Sequence, residues 1–142
     1  MILGTISPKN QKDLRSSLHP ETIKPLLDMG IEIIFESGLA AGIDVSDSSL
    51  SSQGPKAVSR QDCLAQADLL LCSGPLSEDE ISSMKKGAIY LGLMEPFSHK
   101  NQFNLFKSHS ISAISMEFIP RITRAQKMDV LSSQSNLAGY VA

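Results

Sequence analysis

The chain has 142 residues, of which 42% are hydrophobic and 20% charged, and 13 basic against 15 acidic residues give a net charge of −2. This length and composition predict one globular domain that buries about two-thirds of its unfolded surface. The small negative charge argues against a nucleic-acid-binding surface, which needs a basic excess.

The two cysteines, Cys63 and Cys72, have no metal-ligand spacing and no histidine close in sequence, so we expect no metal site. Unpaired thiols fit a reduced, cytoplasmic protein. Residues 1–8 lack the basic start and the long apolar core of a secretion signal. No run approaches the ~20 apolar residues of a membrane span, so we expect no direct membrane insertion.

Short apolar runs alternate with longer amphipathic ones, which is typical of a parallel sheet flanked by helices. Strands are predicted at residues 1–6, 31–36, 68–72, 88–93 and 111–115. Helices are predicted at residues 20–29, 47–51, 61–67, 78–85, 100–109 and 124–142, with an extended segment at residues 57–58. The predicted fold class is therefore α/β, with a doubly wound, flavodoxin-like, mostly parallel sheet and helices on both faces.

Local signals support several of these boundaries. Gly30 and Gly87 fall where a helix end needs a left-handed residue, and Ser77 can cap the helix that follows it. Pro25 conflicts with a helix that begins at Pro20, because an interior proline removes a backbone donor at a cost of about 3 kcal/mol. That helix should either begin later than Pro20 or have an irregular first turn.

A Gly-x-Gly-x-x-Gly fingerprint, which brings backbone donors to a pyrophosphate, does not occur in the sequence. Residues 36–42 contain two glycines at the wrong spacing and are better explained as a turn. We therefore expect the second, dinucleotide-binding domain to be absent from residues 1–142.

Polar side chains concentrate near the end of the chain. Helical spacing from residue 126 onward gathers one polar arc of Gln126, Asp129, Ser132, Ser133, Asn136 and Tyr140. It gathers one apolar arc of Val130, Leu131, Leu137, Ala138 and Val141. One face can therefore pack while the other presents amide, carboxylate and hydroxyl groups to a ligand. The helix has no capping signal before residue 142 and is predicted to be cut through its middle.

The run from residue 120 to 140, Pro-Arg-Ile-Thr-Arg-Ala-Gln-Lys-Met-Asp-Val-Leu-Ser-Ser-Gln-Ser-Asn-Leu-Ala-Gly-Tyr, resembles a signature of the proton-translocating nicotinamide nucleotide transhydrogenases. The similar region is the N-terminal portion of their NAD(H)-binding alpha subunit, which shares an N-terminal domain with alanine dehydrogenase. The resemblance covers nearly the whole chain and is closest from Met116 on. It implies that Arg121, Gln126, Asp129 and Ser132 surround the nicotinamide of NAD(H).

Arg15 and Tyr140 are further candidates. Arg15 belongs to the sequence Asp13-Leu14-Arg15, which resembles a Glu-x-Arg motif of the same family with Asp in place of Glu. In the alanine dehydrogenase branch that arginine clamps the substrate carboxylate, for which its planar fork is suited. The alternative is an ordinary exposed arginine in a polar loop.

The chain departs from the alanine dehydrogenase branch at two places. Cys72-Ser73-Gly74-Pro75 replaces a substrate-binding lysine, and Leu93-Met94-Glu95-Pro96 replaces a histidine. Amino-acid oxidation thus lacks its acid–base groups, whereas hydride exchange between nicotinamides needs none. We accordingly expect no catalytic side chain. Arg15, Ser73, Glu95 and Arg121 all follow predicted strands and should share one edge of the sheet.

The resemblance implies a component that exchanges hydride between its NAD(H) and the NADP(H) of a partner, coupled to proton translocation by a membrane-embedded partner. It implies a homodimer on the cytoplasmic side of the inner membrane, attached through partner subunits. Two alternatives stay open: a non-catalytic dimerisation or binding domain, and an alanine-dehydrogenase-like oxidoreductase. At the site itself, Arg121 and Asp129 could instead pair only with each other.

Overall fold

A computed structural model describes residues 1–10 and 12–141. Its six strands are β1 (Ile2–Ile6), β2 (Glu32–Glu36), β3 (Lys56–Val58), β4 (Leu69–Cys72), β5 (Ile89–Gly92) and β6 (Ser112–Ser115). They form one sheet in the order β3-β2-β1-β4-β5-β6, and every pairing is parallel. The predicted fold class is confirmed: the five predicted strands lie in flavodoxin-like order, and residues 56–58 add a short sixth strand at one edge.

Helices cover both faces of the sheet. They are α1 (Pro20–Asp28), α2 (Asp47–Ser51), α3 (Arg60–Gln66), α4 (Glu78–Ser83), α5 (Asn101–Ser108) and α6 (Val130–Val141). The two cores follow the alternation of β2: Ile33 and Phe35 pack with α1 and α2, whereas Ile34 packs on the opposite face. None of the helices in these described ranges is long and apolar enough to cross a bilayer.

The structure resolves the conflict at Pro25 differently from the sequence-based expectation. Helix α1 begins at Pro20, and its first turn is capped by His19 and Thr22, with Pro25 inside the helix. The proline removes the donor that would face the Glu21 carbonyl, but both residues are exposed, so water can satisfy that carbonyl. Gly30 and Gly87 have the predicted left-handed conformation, with φ of 75° and 82°.

The last helix begins later than predicted. Residues 126–128 form a 3₁₀ turn, and α6 starts at Val130 after the cap residue Asp129. A short carboxylate binds nearby backbone N–H groups, and this favours a cap over a helix interior. Gln126 therefore lies outside the helix and the predicted arcs do not start there. Ala142, and the side chains of Ser133, Asn136, Leu137 and Val141, lie outside the described residues.

Candidate functional site

The loops that follow β1, β4, β5 and β6 meet at the carboxyl ends of the strands, here called the carboxyl edge. The strand order reverses between β1 and β4, and ligands of such sheets gather at this kind of crevice. Arg15, Ser73 and Glu95 line one cavity of about 290 Å³, here called the Glu95 cavity. Arg15 and Arg121 line another of about 340 Å³, here called the Leu131 cavity. The prediction that these four residues share one edge is confirmed.

The four residues predicted to contact nicotinamide lie together. A cavity of about 230 Å³, here called the Gln126 cavity, is lined by Arg121, Ile122, Thr123, Gln126, Asp129 and Ser132. Successive turns produce this arrangement: the Ala125 N–H donates to the Ile122 carbonyl at 2.9 Å, and the 3₁₀ turn at residues 126–128 follows. The segment therefore folds back, and one cavity receives side chains eleven positions apart in sequence.

Asp129 is buried and caps α6. Its Oδ1 accepts the N–H groups of Leu131 and Ser132 at 3.0 and 3.3 Å, and its Oδ2 accepts the Ser132 hydroxyl at 2.5 Å. The Ser132 hydroxyl is the largest cause that lowers the pKa of Asp129, and the charge of Arg121 is the smallest. The carboxylate is therefore ionised and held in one orientation toward the cavity.

Arg121 and Asp129 do not simply pair with each other. Within residues 1–10 and 12–141 the two side chains form no ion pair, although both line the Gln126 and Leu131 cavities. Arg121 and Gln126 are exposed, which leaves their donors available to a ligand. Tyr140 is 92% exposed and is not among the residues that line either cavity, so the structure does not bring this candidate to the site.

Arg15 is engaged by its own loop. It donates through Nε to Oδ1 of Asp13 at 2.7 Å and through Nη2 to Oδ2 at 2.6 Å. This hydrogen-bonded pair raises the pKa of Arg15 and lowers the pKa of Asp13. The fork that would clamp a substrate carboxylate already holds an internal one, even though Arg15 lines a further cavity of about 560 Å³ beside Leu71 and Leu91.

Glu117 is a residue that sequence reasoning missed. It follows β6, and its Oε1 accepts the N–H groups of Met94 and Glu95, each at 2.8 Å. The Ser115 hydroxyl donates to Oε2 at 2.5 Å. Burial raises the pKa of Glu117, but these hydrogen bonds outweigh it, so the pKa lies below its ordinary value. A single glutamate in a polar segment carries no sequence signal of such convergence.

Gln134 was also missed. It lies on α6 one turn after Val130, and both residues line the Leu131 cavity and the 560 Å³ cavity. The error in the start of the helix explains the omission, because the polar arc was drawn from Gln126. A helix drawn from Val130 places residues four apart on one face.

The two cysteines are buried thiols. Burial raises the pKa of both Cys63 and Cys72 to about 11, so neither is ionised near neutral pH. Across the described ranges there is also no group of three or more His, Cys, Asp or Glu side chains arranged to hold a metal ion.

Comparison with known proteins agrees with this picture. Residues 6–138 match the model of the family described as "Alanine dehydrogenase/PNT, N-terminal domain". The first of the separate parts of the NAD(P) transhydrogenase subunit alpha of Rhodospirillum rubrum is 36% identical over 134 residues, covering 90% of this chain and 35% of that protein. The crystal structure of transhydrogenase from Sinorhizobium meliloti superposes with a TM-score of 0.93 at 31% identity, covering 99% of this chain and 42% of that one.

A structure of L-alanine dehydrogenase has a TM-score of 0.78 at 16% identity, covering 87% of this chain and 34% of that one, which shows a shared fold. The chain spans 35% of the length of the Rhodospirillum relative.

Proposed function

Because the chain belongs to the alanine dehydrogenase/PNT N-terminal domain family, we propose that it forms the nicotinamide side of the NAD(H) site in an NAD(P) transhydrogenase. The observation that carries this proposal is the convergence of Arg121, Gln126, Asp129 and Ser132 on the Gln126 cavity. Its volume of about 230 Å³ suits one ring rather than a whole dinucleotide, since pockets for drug-sized molecules are about 300–1,000 Å³. The Gly-rich, pyrophosphate-binding lobe would lie outside these residues.

The chemistry of the cavity fits a carboxamide. The Arg121 guanidinium can donate to the amide oxygen, and the Gln126 amide can both donate and accept. Asp129 uses three of about four acceptor positions within the chain, which leaves one for the amide NH₂ group. Bound nicotinamide supplies the hydride chemistry itself, so the task of these residues is to orient the ring and limit the access of water.

Hydride exchange is favoured over amino-acid oxidation. A 2-oxo acid would need a free cation for its carboxylate, but Arg15 is bound by Asp13 through two hydrogen bonds. Ser73 and Glu95 stand where the related dehydrogenases have a lysine and a histidine, so no positive charge compensates. A reaction that the cofactors perform between themselves makes neither demand.

The proposed reaction requires partners. We infer an NADP(H)-binding component that approaches the nicotinamide side of this chain, and a membrane-embedded component that translocates protons. The protein would act as a homodimer on the cytoplasmic side of the inner membrane. The name of the Rhodospirillum relative, which marks it as one of several parts of subunit alpha, supports a multi-part assembly in that organism.

Substitution of Arg121 in the assembled transhydrogenase tests the proposal. Loss of one charged hydrogen bond, worth about 1.5–3 kcal/mol, should slow hydride exchange about ten- to a hundred-fold in Arg121→Ala. Arg124→Ala is the matched control, because Arg124 is exposed nearby and does not line the Gln126 cavity. Equal rates in wild type and Arg121→Ala would refute the proposed site and favour a non-catalytic domain.

A further inference from the structure

Three donors converge on the carboxylate of Glu117 at the carboxyl edge. Two successive backbone N–H groups, those of Met94 and Glu95, point to one oxygen at 2.8 Å, and the Ser115 hydroxyl binds the other at 2.5 Å. Consecutive N–H groups aimed at one point form a concave anion site of the backbone. In this protein the anion is supplied by the chain itself, from the segment that follows the neighbouring strand.

The backbone of Glu95 is arranged to make this contact. Glu95 has a φ of 48°, in the left-handed region that residues other than glycine seldom adopt. Turning Glu95 into this region directs its N–H group toward the same oxygen as the Met94 N–H group. The unusual conformation and the carboxylate therefore belong to one clamp, which joins the loop after β5 to the turn after β6.

The clamp lies four residues before Arg121. Glu117 is in the 3₁₀ turn Met116–Phe118, Ile119 is extended with φ and ψ of −63° and 124°, and Pro120 has a ring-restricted φ. This short, stiff connection leaves Arg121 little freedom once Glu117 is fixed. Glu117 and Arg121 also line the same Leu131 cavity, together with Asp129.

We propose that Glu117 is a positioning residue that sets the place of Arg121 by clamping the turn after β6 to the loop after β5. This inference rests on the proposed function, since Arg121 matters for hydride exchange only if it holds the nicotinamide. Glu117 itself touches no reacting atom. Its effect is to keep the arginine close to one position while the ring is bound, and hydride transfer depends steeply on that position.

Two substitutions separate the clamp from a general loss of structure. Glu117→Ala removes all three acceptor contacts. Glu117→Gln keeps one carbonyl oxygen for the two backbone N–H groups, and its NH₂ group can donate to the Ser115 hydroxyl oxygen. Glu32→Ala is a matched control, because Glu32 is an exposed carboxylate at the opposite end of the strands, 2.9 Å from Nζ of Lys56.

The experiment measures kcat and KM for NADH in the assembled transhydrogenase and the Nε–Hε resonance of Arg121 in the labelled chain. We expect Glu117→Ala to lower kcat about ten- to a hundred-fold with KM changed less than about threefold, and to shift the Arg121 resonance. Glu117→Gln should restore both readouts to near wild type, and Glu32→Ala should change neither.

An unmoved Arg121 resonance in Glu117→Ala would overturn the inference, and so would unchanged kcat in that variant when Arg121→Ala is slow. Unchanged kcat in both Glu117→Ala and Arg121→Ala, with the resonance shifted, would instead contradict the proposed function and leave the clamp established as a geometric device.

Discussion

Asp129 has two tasks at the residue scale, because it caps α6 and also lines the Gln126 cavity. Alanine at this position would remove both, so its effect on activity would mix folding with ligand contact. Asparagine keeps a side-chain oxygen that can cap the helix but removes the charge. The two substitutions together therefore distinguish the tasks.

We expect Asp129→Asn to keep the thermal midpoint close to wild type while slowing hydride exchange, and Asp129→Ala to lower both. Asn is as good a cap residue as Asp, whereas Ala provides no acceptor. Thermal unfolding and turnover measured on the same preparations check this. A normal rate in Asp129→Asn would show that the charge is not needed at the nicotinamide.

The thiols give a second prediction at this scale. Cys63 and Cys72 are buried, and both have a pKa of about 11, so native protein should react with a thiol reagent near neutral pH only when it unfolds. Addition of denaturant should release both groups together. Rapid labelling of either cysteine in the native state would contradict the described packing.

Residue roles were predictable from sequence only where a run of residues carried them. The segment from Arg121 to Ser132 was identified by its resemblance, and the structure brings its four named residues to one cavity. Glu117 could not be found that way, because its contacts depend on the left-handed turn at Glu95 in a different loop. The pairing of Arg15 with Asp13 was missed although the two are neighbours in sequence, because an exposed arginine and a ligand clamp have the same pattern.

At the scale of elements, Arg60 connects the ends of two strands to a helix. Its Nε donates to Oε1 of Glu80 at 2.7 Å, and its Nη1 donates to Oε2 of Glu36 and to the Ser7 carbonyl, each at 2.9 Å. The three side chains are at most 24% exposed, so water screens them little. This network holds the start of the loop that carries Arg15.

Arg60→Met should lower the free energy of unfolding by about 2–3 kcal/mol, because it leaves two largely buried carboxylates without their partner. Lys56→Met is the control, since it removes an ion pair with Glu32 that is mostly exposed and worth less than about 1 kcal/mol. Denaturant titration of both variants at neutral pH makes the comparison. Equal losses would show that the Arg60 network is no stronger than a surface pair.

The same network predicts acid sensitivity. Burial raises the pKa of Glu80, but hydrogen bonds from Ser77 and Arg60 outweigh it, so the folded-state pKa lies below the ordinary 4.5. A lowered folded-state pKa contributes stability that is fully present above the ordinary pKa and is lost as the pH falls through the folded-state pKa. Arg60→Met should weaken this dependence, and unfolding curves at several pH values from neutral down to below the ordinary pKa of Glu80 would detect the change.

Elements were predicted well wherever a strand packs on both faces. The predicted strands agree with the structure to within one residue at each end, because alternate residues of β1 and β2 contribute to opposite cores. The last helix was the exception. Its start depends on Asp129 binding the N–H groups of Leu131 and Ser132, a local competition that periodicity does not show.

At the scale of the whole molecule, large apolar side chains remain exposed around the candidate site. Phe118, Ile122, Met128 and Leu131 are 54–60% exposed, all within one segment. A cluster of this kind promotes association. We expect the chain to self-associate at high concentration, and Leu131→Ser to weaken this more than Met29→Ser, since Met29 is exposed at the end of α1. Sedimentation velocity that shows a monomer at every concentration would contradict this.

The central claim is that residues 121–132 hold the nicotinamide, and a titration of the labelled chain with NADH tests it most directly. Without a Gly-rich lobe the affinity should be poorer than millimolar, weaker than about −4 kcal/mol. Backbone amide resonances of Arg121, Gln126, Asp129 and Ser132 should shift with NADH and stay still with AMP, which lacks the nicotinamide. If these resonances stay unmoved at tens of millimolar NADH, or move equally with AMP, residues 121–132 do not form the nicotinamide site.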